Sequence, residues 1–599
     1  MKTYPRAAAI FAPLFALRRE DDLGIGDTES ARQMIDACAA LGFSILQILP
    51  INETADDNSP YNAISAMALE PSTLQITPPA VPGLLQRDIN ELAPPEHIAS
   101  IRLGSVNYPA VKSLKLALLR RAYERLSSAK NKDWEHARNQ WRAFDQCEAD
   151  WLLPYTFFRL FLDRHQHKPY TQWPKEHASW QAAQNWIKAL DDSKRRKIER
   201  EARFFSFVQW IAHTQWKELQ HDGRARGVRL MGDMPFGISR FSADTWQRPE
   251  LFDLTRFGGS PPEPLFCDDP FTRKFGQNWG ISIYRWDQME KENCRWFRER
   301  IRRIVEYFDL FRIDHILGFY RIYTFPWPPE ENALYLNATP AQLKKKFGWL
   351  PRFDPASDDS KEGKKINKEQ GEKLIKVVQK AAGKSIIIGE DLGMVPDYVR
   401  PSLAWLGISG FKIPRFERDK KSGEFLPPED YPALSVTTPS THDHITMAEY
   451  WEECWNLYLA GEEKRRAIQH PAAGRDHPHD QDHERFIHTA TEASWEIYRM
   501  QRLARLDDRT MLRSYEPDVH WELMRRLCES NSWLVILGIS DLLGLKVRFN
   551  VPGSVASSNW STRLDFTIHE LRESPRFENA RQQIRSILKN ARRTPNNAQ

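Results

Sequence analysis

The sequence predicts an α/β protein: a closed (β/α)8 barrel with inserted helical and loop subdomains. Three observations carry this. Eight short apolar runs recur along the 599 residues, each followed by polar or Gly/Pro residues, as buried parallel strands are. Most are followed in turn by a helical pattern, and alternating β and α units build parallel sheets. Three of the runs lead into a carboxylate, at Asp314, Glu390 and Asp443, the way barrel strands deliver acids to their C-terminal mouth.

In chain order, the first run is Ala7–Phe11. It opens AAAIFAPLFAL (7–17), which also resembles a signal-peptide core, but Pro13 interrupts it and RRED follows at once. It reads as the first strand. Thr28–Leu41 reads as a helix closed by Gly42, and Ser44–Pro50 as the second strand. Residues 109–220 are helix-rich, basic and full of Trp, with no acid-tipped strand, and read as an inserted helical subdomain. Val228–Pro235 is the third strand. Asp287–Tyr307 is one amphipathic helix leading into the fourth, Phe308–Asp314. Residues 326–384 carry Pro, Lys and Asp runs such as FDPASDDSKEGKK (353–365) and read as a partly irregular, mobile insertion. Ser385–Glu390, Gly410–Phe416, Leu434–Thr438 and Trp533–Ile539 complete the barrel, and RRTPNNAQ (592–599) reads as a disordered tail.

Composition narrows the function. A chain of this length is too long for one plain barrel of roughly 250 residues. With 85 basic and 80 acidic residues, the net charge of +5 gives no reason to invoke nucleic acid or a membrane as partner, and no run reaches the roughly 20 apolar residues of a membrane span. Six scattered cysteines without a CxxC read as free thiols in a reducing, cytoplasmic compartment. No phosphate loop and no GxGxxG leading into a helix is present, so no nucleotide is implied. HPAAGRDHPHDQDH (470–483) holds four His, among them His477, His479 and His483, but reads as a polar loop without the fixed geometry a metal needs. Neither a metal nor a cofactor is expected. The 21 Trp and 17 Tyr mostly pack cores, though flat aromatic faces also suit sugars.

The acids suit glycoside chemistry, which needs one carboxylate as nucleophile and another carboxyl as proton donor. Arg312 and Asp314 share a face of their strand, and a neighbouring guanidinium favours an ionised carboxylate. Glu390, at the end of the next strand, becomes a proton donor if its surroundings are drier. Asp443 follows His442 on a loop, a pair suited to sugar hydroxyls.

Longer motifs sharpen this. EDDLGIGD (20–27), SPYNAISAMALEP (59–71), GDMPFGISRFSADTW (232–246), GQNWGISIYRWD (276–287), FRIDHILGF (311–319), GEDLG (389–393), STHD (440–443) and DLLGLKVRFNVPGSVASSNWSTRL (541–564) occur in the order seen in the 4-α-glucanotransferases, the amylomaltase or disproportionating-enzyme family (glycoside hydrolase family 77), which the chain resembles over nearly its whole length. The resemblance implies a TIM barrel acting on maltose, maltooligosaccharides and α-glucan polymer. It implies Asp314 as nucleophile, Glu390 as general acid/base and Asp443 as the acid gripping the distorted donor sugar. It maps Arg312, His315 and His442 to contacts around the scissile bond, Tyr61 to the ring stacking under the donor sugar, Asp233 to a hydrogen-bonding role and Trp279 to a loop covering the glucan. FGGSPPEPLFCDDPF (257–271) reads as a hinge for that loop, which would exclude water and favour transfer. RREDDLGIG, LPINET, GQNWG and RIDHILGFYRIY look most like the plant cytosolic disproportionating enzymes and their bacterial counterparts, without the starch-binding modules of the plant members. His444 and Ser540 depart from the family pattern, which has Asn and Gln there in many members, and bear on acceptor preference. The alternatives are an α-glucan hydrolase of amylase type and a non-catalytic glucan-binding protein. Oligomeric state is not legible.

Overall fold

The computed structural model describes residues 3–128, 132–262, 269–469, 481–506, 510–553 and 557–595, the side chains of 132, 467–469 and 481–484 excepted. Twelve strands are numbered in chain order: β1 Ala7–Phe11, β2 Ile45–Gln47, β3 Arg229–Met234, β4 Phe252–Ser260, β5 Gln277–Tyr284, β6 Leu310–Ile313, β7 Ile322–Phe325, β8 Arg352–Asp354, β9 Ile386–Gly389, β10 Gly410–Lys412, β11 Ser435–Thr437 and β12 Leu534–Gly538. Eight form one parallel sheet in the order β10-β11-β12-β1-β2-β3-β6-β9. The two ends meet through a parallel bridge between Ile388 and Ser409, where the Gly389 N–H donates to the Ser409 carbonyl at 2.9 Å. The barrel is thereby closed, and its eight strands fall within the eight apolar runs read from the sequence. Every residue of β1 is buried, as expected of a strand covered on both faces.

Helix 28–41 follows its sequence signals. Asp27 caps it by accepting from the Ser30 N–H, and Gly42 ends it at φ 93°. The next helix differs from expectation: Asp287–Tyr307 is two helices, Trp286–Lys291 and Arg295–Val305. Asn293 and Cys294 adopt left-handed backbone between them, and the Cys294 N–H closes the first helix onto the Met289 carbonyl at 2.7 Å, a C-terminal closure that Asn tolerates.

The 109–220 stretch is helical, with Tyr108–Ser127, Glu135–Cys147, Ala149–Arg164, Trp180–Ala189 and most of the 34-residue Asp192–Ala225. Its tryptophans mainly pack: Trp141, Trp151, Trp173 and Trp216 are buried.

A four-stranded antiparallel sheet, ordered β5-β4-β7-β8, was not read from the sequence. Its glycines disguise it as loop. A Cβ on Gly258 would stand 2.7 Å from the Ile281 side chain, and one on Gly259 would stand 1.9 Å from the Gln277 carbonyl. Gly258 is glycine because side chains of β5 fill the space a Cβ would take, and Gly259 because the β5 backbone comes that close, not because the chain turns. GQNWGISIY is accordingly strand β5 rather than a loop, and residues 263–268 of the expected hinge lie outside the described residues. The 326–384 insertion is irregular only in part. It contains helices 332–335 and 340–347, strand β8 and the 22-residue helix Lys361–Ala382, capped by Ser360. Phe257, Phe271, Phe325, Trp327 and Leu343 form a small core of its own beside the barrel core.

The described cysteines are free thiols. No helix among the described residues is long and apolar enough to cross a membrane, and no group of three or more His, Cys, Asp or Glu among them is arranged to hold a metal ion. The expectation for His477 and His479, and for the His483 side chain, falls outside the described residues.

Candidate active site

The C-terminal ends of the barrel strands converge on one cleft of about 1860 Å³, and Tyr61, Trp279, Arg312, Asp314, His315, Glu390 and Asp443 all line it. Asp314 immediately follows β6, its N–H donating to the Met234 carbonyl at 2.9 Å. Glu390 immediately follows β9, its N–H donating to the Ile313 carbonyl at 2.9 Å. Because β6 and β9 pair in parallel register, strand geometry itself sets these two acids side by side.

Arg312 organises the floor. One guanidinium nitrogen donates to both oxygens of Asp233 (2.9 and 2.7 Å), and another meets Asp314 at 2.8 Å. The Tyr61 hydroxyl donates to Asp233 at 2.9 Å, so Asp233, buried with Arg312, is a linking acid rather than a free one. Burial raises its pKa against the pull of Arg312. The Asp314 side chain keeps 29% exposure toward the cleft.

Glu390 sits differently. The N–H groups of His315 (2.9 Å) and Leu392 (2.8 Å) each donate to one of its oxygens. Burial outweighs these bonds and, with the charge of Asp314, pushes its pKa from the ordinary value near 4.5 up to about 8. His315 reaches its carboxyl from a left-handed backbone, φ 45°, a strained conformation of the kind that collects at functional sites. Its own imidazole is driven down to about 4, chiefly by burial. The neighbouring acid Asp391 points elsewhere: it accepts the Phe411 N–H at 2.6 Å and meets Arg400 at 3.1 Å, tying β9 to β10.

Asp443 lies on the loop after β11. Burial works to raise its pKa, but His442 at 3.2 Å and the Asn550 amide at 2.6 Å hold it below the usual aspartate value. Arg548 donates to its carbonyl at 2.7 Å. The His442 ring stacks on Tyr61, centroids 5.2 Å apart and planes at 10°, and Trp560 stands 5.7 Å from Tyr61. Trp279 meets His315 edge-on at 4.9 Å and is 38% exposed. All nine residues singled out from the sequence therefore gather in or beside one cleft. Asn550, Arg548 and Trp560 were missed. They lie inside the 541–564 motif, but Asn and Arg on an irregular segment carry no periodicity that would mark them.

Of the two departures, His444 lines the cleft. Its ring nitrogen pairs with the Thr441 hydroxyl at 2.7 Å and its pKa is pushed down to about 3 by burial together with Arg415, so it stands neutral. Ser540 is buried, does not line the cleft, and its hydroxyl has no hydrogen-bond partner among the described residues.

A closed (β/α)8 barrel with three carboxyls and stacking aromatics at its mouth defines a carbohydrate-active barrel. The chain belongs to glycoside hydrolase family 77, the 4-alpha-glucanotransferases, whose family profile matches residues 12–568. Among curated relatives, a 4-alpha-glucanotransferase of Chlamydia pneumoniae is 29% identical over 95% of this chain and 93% of that protein. One of Chlamydia caviae is 32% identical over 74% of each, and one of Thermus thermophilus 27% over 94% and 95%. Among solved structures, the amylomaltase of Streptococcus agalactiae, in complex with acarbose, aligns at TM-score 0.70 and 21% identity over 98% of this chain and all of that one. The amylomaltase of Corynebacterium glutamicum aligns at 0.73 and 19% over 97% and 75%. Both share the fold. The expected plant-like branch is not supported. A rice relative matches only 54% of this chain and 32% of its own length, whereas the Chlamydia pneumoniae and Thermus thermophilus relatives match nearly end to end.

Proposed function

We propose that the protein is a retaining 4-α-glucanotransferase that moves α-1,4-glucan segments between maltooligosaccharides and glucan or glucose acceptors. Asp314 attacks the anomeric carbon, and Glu390 gives its proton to the leaving oxygen. The new bond is an ester between the Asp314 carboxylate and the sugar, and the broken one is the glycosidic bond. Glu390, now ionised, takes the proton from an acceptor hydroxyl, whose oxygen attacks the anomeric carbon, forming the new glycosidic bond as the bond to Asp314 breaks. Arg312 orients Asp314. Asp443, held by His442 and Asn550, grips the distorted donor sugar, and Tyr61 stacks beneath that sugar.

The observation that carries this reading is the contrast between two adjacent carboxyls. Asp314 is ion-paired with Arg312, while Glu390 is pushed up to about 8. Neighbouring groups whose environments differ in this way take opposite acid–base parts. The test is chromatography of products from maltose and from maltotriose, each with and without glycogen. A ladder of longer glucans with a constant total of reducing ends supports transfer. A steady rise in reducing ends without a ladder contradicts it. Activity on the short sugars without glycogen is expected, because the cleft's own aromatics hold them.

A further inference from the structure

The cleft continues past the catalytic acids along the antiparallel sheet. Tyr323 on β7 and Phe353 on β8 are register partners, so their side chains stand together on one face, ring centroids 5.1 Å apart. Both are partly exposed and line the cleft. The Arg321 guanidinium lies 3.4 Å from the Phe353 ring centroid and is held by Asp358 at 2.5 Å. Trp279 on β5 of the same sheet meets His315 edge-on at 4.9 Å, and the His315 N–H holds Glu390. The sheet therefore reaches from the proton donor to an aromatic pair that none of the chemistry above uses. The cleft is larger than the roughly 300–1,000 Å³ of ordinary ligand pockets, which leaves room for several sugar rings.

We propose that Tyr323 and Phe353 form a stacking platform for an α-glucan chain on the leaving-group and acceptor side, at least one ring beyond the scissile bond. The proposal rests on the transfer reading. Its side follows from chemistry: Glu390 protonates the leaving oxygen and later deprotonates the acceptor at the same place, and the sheet that carries the platform reaches the site beside Glu390. Flat rings partly open to a cleft offer sugar C–H faces an apolar partner, and the clamped guanidinium fixes the Phe353 ring while supplying hydrogen-bond donors.

The experiment compares Tyr323→Ala, Phe353→Ala and the double variant with the unaltered enzyme, using α-maltosyl fluoride as donor and either glucose or maltohexaose as acceptor. The expected result is an apparent KM for maltohexaose raised about tenfold in the double variant, with the KM for glucose changed less than twofold and thermal melting matched. An unchanged KM for both acceptors, or an equal rise for both, overturns the platform and leaves the transfer reading standing. Absence of transfer by the unaltered enzyme contradicts the transfer reading, and the platform with it. Should the alanine variants fail to fold, a crystal structure of the unaltered enzyme with maltohexaose decides. Rings seated against Phe353 support the platform, and a chain bound wholly elsewhere overturns it.

Discussion

In the proposed reaction Glu390 is the residue on which the chemistry turns, because its proton must be present before the bond breaks. Its pKa is raised from about 4.5 to about 8 by burial and by Asp314, so the free enzyme holds the donor form at neutral pH. Activity, read as kcat/KM, should fall as pH rises through about 8, and that limb should vanish in Glu390→Gln assayed with a fluoride donor that needs no acid. A limb unmoved by the substitution would assign it to another group. The same shift has a sign for stability. The folded state binds the proton more tightly than the unfolded one, so the contribution is present below about 4.5 and is lost as pH rises through about 8. Asp314→Asn and Glu390→Gln should each cut transfer from natural glucans by roughly 10²–10⁴-fold or more without unfolding, since both keep size and polarity. Near-normal turnover by either, with the fold intact, would remove that residue from its role. His315 shows why such a site is legible only in part. Its type and neighbourhood were evident in RIDH, but the left-handed backbone that aims its N–H at Glu390 depends on the turn after β6 and has no signature in composition.

At the scale of elements, the barrel strands were legible because burial on both faces makes them continuous apolar runs. The second sheet was not, since Gly258 and Gly259 answer to close packing against β5 rather than to turns. Helix 361–382 was hidden for a similar reason: Gly371 lies within it because a Cβ there would stand 2.2 Å from the Tyr320 ring, yet a glycine among lysines reads as loop. The helical insert also has a function that its sequence conceals. Glu53 and Glu70, at the two ends of the segment carrying Tyr61, are buried. Glu53 accepts from the Tyr155 hydroxyl and from Arg159 at 2.8 Å, and Gln209 donates to the Leu69 carbonyl while accepting its N–H. The insert thus clamps the segment carrying Tyr61 from behind. Arg159→Met leaves Glu53 buried without its ion partner, at a cost of about 3 kcal/mol. Apparent Tm should drop by several degrees and the donor KM should rise as Tyr61 loses its fixed position. A variant with unchanged Tm and unchanged KM would show that the clamp does not hold this segment.

For the whole molecule, the layout assigns different work to different parts. The parallel barrel brings Asp314, Glu390 and Asp443 to one mouth, the helical insert backs the Tyr61 side, and the antiparallel sheet walls the side of Glu390. The eight apolar runs were enough to read the barrel, and the order of the acidic motifs its acids, because each acid follows its own strand. The contacts of Asn550, Arg548 and Trp560 were not readable, because they come from an irregular segment brought across the barrel mouth only by the closed fold. The central claim is a covalent glycosyl-enzyme on Asp314, resolved by Glu390. The most direct measurement is mass spectrometry of the Glu390→Gln variant after exposure to α-maltosyl fluoride. Fluoride departs without an acid, but the missing base slows attack by the acceptor, so the ester should accumulate. The expected result is a glycosyl adduct on the peptide containing Asp314, lost on adding a nucleophile such as azide that needs no base, with the product in the retained α configuration. An adduct on another residue, or turnover with an inverted anomer and no adduct, would contradict it.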